Sequence, residues 1–270
     1  LVHLRDVGPR DDPLPIVLVH GAFSSLHTWE GWVPALAAQR RVISFDLPGF
    51  GLSGPPAVAQ PQYGGDHDAR FVLALLRRLG VQRFAIGGHS LGGEVAWRVA
   101  SLVPDRVAAL LLVDPLCGPC MPPGLPWYLE ALRHQPLRSL ATTLLPRDLI
   151  AAARRHAYAD GSPVAPDVVD RHFELLLREG NREALLNRLD QWGTAQQDAQ
   201  PIAARLARIS APTLLLWGAQ DRLLPLADAR GFIGRLSQAR LQVFDKLGHV
   251  PQEEDAAATL ARVKPFFGLR

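Results

Sequence analysis

The stretch Phe84-Ala85-Ile86-Gly87-Gly88-His89-Ser90-Leu91-Gly92-Gly93 carries a short apolar run into a helical pattern through the spacing G-x-S-x-G. Phe84 to Ile86 is apolar throughout, as in a strand buried on both faces of a parallel sheet. From Leu91 to Leu102 the apolar residues recur with helical spacing. A strand-to-helix turn this tight forces its central residue into a strained backbone, and side chains at 88 and 92 would collide. The turn lifts the Ser90 hydroxyl out of the chain with a helix N-terminus behind it. The plainer reading is a glycine-rich turn with a surface serine; the flanking strand and helix patterns count against it.

The same alternation continues on both sides. Leu1 to Val7 alternates weakly and runs into the turn-rich Gly8 to Pro13. Continuous apolar runs follow at Ile16–Val19, Val42–Phe45, Val107–Val113, Thr213–Trp217 and Leu241–Phe244. Helical patterns lie between them at Asp66–Leu79 and at Pro251–Phe267, the latter with Glu253, Glu254 and Asp255 where a helix dipole favours acids. Strand, helix, strand, helix predicts an α/β protein with a mostly parallel, doubly wound sheet. Between about Leu116 and Ala211 the alternation stops and helix follows helix, clearest at Val164–Glu179 and Arg182–Gln191. This predicts a helical insertion at 116–211 between two parts of one sheet domain, 1–115 and 212–270.

The chain has 270 residues, 48% of them hydrophobic. That length holds one large core and is short for two full-size domains. The net charge is only +3, and the arginines come in pairs such as Arg40-Arg41 and Arg154-Arg155, not in runs, so no nucleic-acid groove is expected. The longest apolar run is about one strand long, well short of the roughly 20 residues of a membrane span. A cytoplasmic location is expected; because the chain starts at Leu1 and not Met, a preceding signal or anchor is left open. Oligomeric state is left open too.

A serine hydroxyl is a weak nucleophile at neutral pH and needs a base, with a further group to orient that base. Both occur, in the order Ser, acid, His. Asp221 lies a few residues past the Leu214–Trp217 run, and His249 lies after the last strand pattern and before the last helix. In a parallel sheet the loops after the strands converge on one edge, where such sheets bind ligands. His20-Gly21-Ala22-Phe23 follows the first buried strand. The backbone N–H of Ala22 is positioned to pair with that of Leu91 around a developing oxyanion.

These residues resemble the α/β-hydrolase superfamily over nearly the whole chain. The resemblance rests on HGAFSS (20–25), DLPGFGLSG (46–54), GGHSLGG (87–93), VDPL (113–116), WGAQDRLLP (217–225) and LGHVPQEED (247–255), in this order and spacing. It implies an α/β-hydrolase fold whose helical cap is inserted after the sixth strand of the usual eight. The first strand of that count either precedes Leu1 or is absent. It also implies Ser90 as nucleophile, His249 as general base and then acid, and Asp221 as its orienter. Superfamily members that use Asp at the nucleophile position, such as haloalkane dehalogenases and epoxide hydrolases, do not fit. The expected substrate is a small to medium, largely apolar carboxylic ester, cleaved without a cofactor or metal. The C–C bond hydrolases of aromatic ring-cleavage pathways share the triad and cap. In those a Trp is expected after the histidine and a Gly-Pro-Gly-rich oxyanion loop, where this chain has Val250 and Ala22-Phe23-Ser24-Ser25. Lactonase and perhydrolase activities stay open, as does a non-catalytic small-ligand receptor on the same fold.

Other motifs in the chain compete with this reading. Cys117-Gly118-Pro119-Cys120 has the C-x-x-C spacing of a redox pair, but the prolines that follow are a poor helix start. A short-loop disulfide or two thiols is the default, and two thiolates alone do not close a zinc site. Gly49-Phe50-Gly51-Leu52-Ser53-Gly54 matches G-x-G-x-x-G, yet Pro55-Pro56 follows where a dinucleotide site needs a helix. Asp114 is a second candidate acid at a strand end, and Asp46 and Asp245 read as turn residues. His20 reads as an orienter of the oxyanion loop. His27, His67, His134, His156 and His172 read mostly as surface histidines. Pocket-wall candidates are Phe23, His89, Val250, Trp127, Tyr128, Phe173 and Trp192.

Overall fold

In the computed structural model, seven strands form one sheet: β1 (Leu4–Val7), β2 (Ile16–Val19), β3 (Val42–Phe45), β4 (Phe84–His89), β5 (Val107–Val113), β6 (Thr213–Gly218) and β7 (Ala239–Phe244). The structure describes residues 1–56, 63–118, 122–193 and 201–270, without the side chains at 192 and 193. Cys120 lies outside the described residues. The strand order is β1-β3-β2-β4-β5-β6-β7. Only β1 runs antiparallel, pairing Leu4 with Phe45 and Val7 with Val42. The other pairings are parallel.

Strand periodicity divides the core into two layers. Successive side chains point to opposite faces, so Val17 and Val19 join one apolar cluster while Ile16 and Leu18 join the other. Helices α1 (Val33–Ala37) and α12 (Ala256–Phe266) cover the second face through Val33, Leu36 and Val263. Helices α2 (Gly65–Arg78) and α3 (Leu91–Leu102) cover the first through Val72, Leu76, Val95 and Val99. With both faces covered, β2, β3, β4 and β6 are buried at every residue, which is why their sequences are unbroken apolar runs.

Between β5 and β6 the chain forms a helical cap of α4 (Trp127–Ala131), α5 (Leu137–Thr143), α6 (Arg147–Ala157), α7 (Pro166–Leu177), α8 (Asn181–Gly193) and α9 (Ile202–Leu206). Buried polar contacts fix it to the sheet domain. On one side Arg188 of α8 meets Asp68 of α2 at 2.7 Å, with both side chains almost fully buried. Its guanidinium also donates to the Pro48 carbonyl and lies over the rings of Phe50 and Tyr63. On the other side Arg154 of α6 pairs with Glu253 at 2.5 Å. The hydroxyls of Tyr158 and Thr28 also donate to Glu253.

That second contact corrects the expected helix at 251–267. The segment is two helices, α11 (Pro251–Glu254) and α12, broken at Asp255, whose side chain caps α12 by accepting the Ala258 N–H. Glu253 and Glu254 do lie in the first turn of α11, and each also has a specific partner. Glu253 binds the cap, and Glu254 accepts the N–H groups of Ala159 and Gly248. Between β6 and β7, α10 (Leu226–Ile233) packs Ala229 and Phe232 into the core.

Removing one partner of a buried ion pair leaves an uncompensated charge, which typically costs about 3–5 kcal/mol. Arg188→Ala is therefore expected to lower unfolding free energy by about that amount in urea titrations. Glu253 is held far down, to about 2: burial would raise it, but Arg154, His172 and the Thr28 and Tyr158 hydroxyls outweigh burial. A lowered carboxylate stabilises the fold above its ordinary range and loses that contribution as pH falls towards the lowered value. Stability measured from pH 5 to pH 2 is expected to fall more steeply in the wild type than in Glu253→Gln, by roughly 2–4 kcal/mol over that range.

Candidate active site

Ser90 sits between β4 and α3 with φ 53° and ψ −118°, a conformation that side chains other than glycine rarely adopt. The turn is held from outside: the Ser90 N–H donates to the Val113 carbonyl at 2.9 Å, and the Ser90 carbonyl accepts the Leu116 N–H at 3.0 Å. Its neighbours leave no room for a Cβ. One at Gly88 would strike the Gly92 carbonyl, one at Gly92 the carbonyls of Val19 and His20, and one at Gly93 would lie 2.6 Å from Pro115 Cβ. Gly88 is thus required by contact with the first turn of α3, Gly92 by contact with the end of β2, and Gly93 by contact with the chain after β5.

His249 lies between β7 and α11 and is held at three points. Its N–H donates to the Ala157 carbonyl at 2.7 Å, its carbonyl accepts from His89 Nε2 at 2.7 Å, and its ring Nδ1 meets Asp221 Oδ2 at 2.7 Å. Asp221 Oδ1 accepts the N–H groups of Leu223 and Leu224. Burial works against the Asp221 charge, but His249 and these donors hold the carboxyl below the usual range. An ionised carboxylate only accepts, so His249 Nδ1 carries the hydrogen and Nε2 is left with the lone pair. His89 is pushed down to about 3, first by burial and then by the adjacent His249 ring. It is neutral at pH 7 and donates from Nε2.

Ser90, His89, His249, Ala22, Phe23 and Val250 line one pocket that is open to solvent. Its remaining walls are Pro122, Leu125, Pro126, Leu129, Ala153, Ala157 and Leu223, with Arg154 as the charged member. The loop carrying Ala22 is set by His20: Nδ1 donates to the Gly21 carbonyl at 2.7 Å, and Nε2 accepts the Leu47 N–H at 2.9 Å. A Cβ on Gly21 would lie 2.7 Å from His89 Nδ1 and 3.1 Å from Ser90 Cβ, so this loop lies directly against the turn. Leu91 is the first residue of α3, where a backbone N–H has no intrahelical acceptor.

Residues 15–256 match a family model described as alpha/beta hydrolase fold. The chain belongs to the α/β-hydrolase fold family. A dihydrolipoyllysine-residue acetyltransferase component of the acetoin cleaving system of Pseudomonas putida is 34% identical over 90% of this chain. The chain spans 60% of that relative's length. A 2-hydroxy-6-oxononadienedioate/2-hydroxy-6-oxononatrienedioate hydrolase of Cupriavidus pinatubonensis is 27% identical over 99% of this chain and 90% of its own. Among solved structures, a 2-hydroxy-6-oxo-6-phenylhexa-2,4-dienoate hydrolase from Rhodococcus sp. strain RHA1 superposes with a TM-score of 0.81 at 25% identity. It covers 99% of this chain and 94% of that one.

In this α/β hydrolase the expected site residues are largely brought together, and the exceptions have physical reasons. Trp127 is 78% exposed, and its ring meets the Tyr128 ring at 81°. Tyr128 and Phe173 pack against the core, and neither lines the pocket. Pro122, Leu125 and Pro126, read in the sequence only as a border, take the wall position instead. The Trp192 side chain lies outside the described residues. Asp46 is not a turn residue. It is fully buried and accepts the N–H groups of Leu26 and Leu52 and a bond with His3 Nδ1, tying three segments together. His27, His156 and His172 are partly buried and bonded, to Ser25, the Gly124 carbonyl and the Val168 carbonyl, whereas His67 and His134 are exposed as expected. Asp114, Asp221 and His249 bring their polar atoms within 4.8 Å of one another. A cation there would have to break the Asp221–His249 bond. No helix among the described residues is long and apolar enough to cross a membrane.

Backbone strain of this kind stores about 1–3 kcal/mol. Ser90→Gly relieves it, whereas Ser90→Ala does not. In chemical denaturation Ser90→Ala is expected to stay within about 0.5 kcal/mol of wild type, with Ser90→Gly about 1 kcal/mol more stable than Ser90→Ala.

Proposed function

We propose that the protein is a serine hydrolase that cleaves small to medium, largely apolar carboxylic esters through an acyl-serine intermediate. The observation that carries this is the 2.7 Å bond from Asp221 to His249 Nδ1, with His249 and Ser90 lining the same apolar pocket. His249 Nε2 takes the Ser90 hydroxyl proton as Oγ attacks the ester carbonyl. The oxyanion is met by the N–H groups of Ala22 and Leu91. As the intermediate collapses, the leaving alcohol takes the proton back from His249. Water then repeats the cycle on the acyl-serine and releases the acid. Asp221 keeps the imidazole in the needed tautomer and stabilises the imidazolium. Donors of the oxyanion type are typically worth ~10²–10³ in rate each.

The second reading is C–C bond hydrolysis, favoured by the names of the Cupriavidus and Rhodococcus relatives. Those names describe acids, whose carboxylates need a counter-charge. The charged wall residue here is Arg154, and its charge is already met by Glu253 at 2.5 Å. Val250 also follows the histidine, where a C–C bond hydrolase of this superfamily is expected to carry Trp. Both features support an uncharged ester.

p-Nitrophenyl esters of graded chain length test the proposal. Turnover is expected for short to medium chains, with a loss of at least about a thousandfold in Ser90→Ala. If every ester fails and a fluorophosphonate probe leaves Ser90 unlabelled, the esterase reading is wrong.

A further inference from the structure

Asp114, the residue after β5, has no role in the chemistry above, yet it is among the most constrained residues in the molecule. It is fully buried, at 0% exposure. Its φ is 40°, which makes it one of three non-glycine residues with positive φ among those described, and the other two are Phe23 and Ser90 in the pocket. Its N–H donates to the Leu216 carbonyl, and its Oδ1 accepts the Gly218 N–H at 3.0 Å. Its Oδ2 is buried with no hydrogen-bond donor among the described residues.

One of the Asp114 carboxyl oxygens lies within 4.8 Å of a carboxyl oxygen of Asp221 and a ring nitrogen of His249. Asp221 is already fixed as an ionised acceptor of three N–H groups. A second ionised carboxylate beside it would be buried without a cation of its own, an arrangement in which one member of a pair keeps its proton. The charged and titratable groups that bear on this pair come from four elements. They are Asp221 after β6, His249 after β7, Glu254 of α11 and Asp228 of α10, which acts on Asp221. Three of the four are acids. Burial, and then the Asp221 charge, push the Asp114 carboxyl well above the usual range.

We propose that Asp114 is a neutral carboxylic acid that donates its proton from Oδ2 to the Asp221 carboxylate, and so acts as a positioning residue for the Asp221–His249 pair. The oxygen without a donor is then itself the donor, and both Asp114 oxygens are satisfied. Asp221 is gripped from two sides, by the Leu223 and Leu224 amides and by Asp114, so its remaining direction is towards His249 Nδ1. Asp114 touches neither substrate nor Ser90 in this account. The proposal rests on the assignment of Asp221 and His249 given above.

Asp114→Asn keeps an oxygen for Gly218 and an N–H for Asp221, whereas Asp114→Ala keeps neither. With a p-nitrophenyl ester, Asp114→Ala is expected to lower kcat at least tenfold with little change in KM, and Asp114→Asn to recover most of that loss. The pH profile separates a neutral from a charged Asp114. Removing a nearby negative charge would destabilise the imidazolium and lower the midpoint of the acid limb by a unit or more; removing a neutral group leaves the midpoint where the wild type has it. Infrared difference spectra at pH 7, wild type minus Asp114→Asn, should show the C=O stretch of a protonated carboxyl. This readout needs no turnover and does not depend on whether Asp114→Ala folds. A protein that cleaves no ester but shows the band refutes the esterase reading and leaves the carboxyl pair standing. An active protein without the band, or with its midpoint lowered in Asp114→Asn, overturns the role of Asp114.

Discussion

The structure depends on a contact between bare backbones. At the turn from β4 to α3, Gly88 meets the Gly92 carbonyl, and Gly92 meets the carbonyls of Val19 and His20. No side chain fits at either point. This closeness brings α3 against β2, sets the first turn of α3 beside the loop of His20 to Phe23, and holds Ser90 in a conformation it would not adopt alone. The fold supplies the restraint through hydrogen bonds from β5 and the chain beyond it, so the strain is carried by the sheet and not by the loop.

Around this turn the second centre of order is His249. Its ring, N–H and carbonyl are each held by a different part of the chain: Asp221 after β6, Ala157 at the end of α6, and His89 within the turn itself. Glu254 fixes the preceding residue through the Gly248 N–H. The helical cap therefore does more than cover the pocket. It supplies the acceptor for the His249 N–H, and through Arg154 it binds the helix that follows.

Much of this was legible in the sequence because it is local. Unbroken apolar runs marked strands covered on both faces, and glycine spacing marked the turn. Asp221 stood out from Asp114 by its distance past a strand end. What escaped was set by contacts between distant residues. Glu253 looked like a helix-dipole acid because its partner Arg154 is 99 positions away. Asp68 gave no sign of Arg188, 120 positions on. Asp46 resembled a turn residue because its partners lie in three separate segments. The aromatic residues of the cap suggested a pocket wall by size alone, and size does not say which side of a short helix faces inward. His89 occupies a variable position of the motif, so nothing in the pattern signalled its bond to the His249 carbonyl.

The Arg154–Glu253 pair has a consequence for traffic. Arg154 is a wall residue of the pocket and is also anchored to the sheet domain, so α6 cannot swing outward without parting two desolvated charges. A penalty of several kcal/mol for that separation would keep the swung-out form below about one molecule in a hundred. Molecules then enter and leave the pocket with α6 in place.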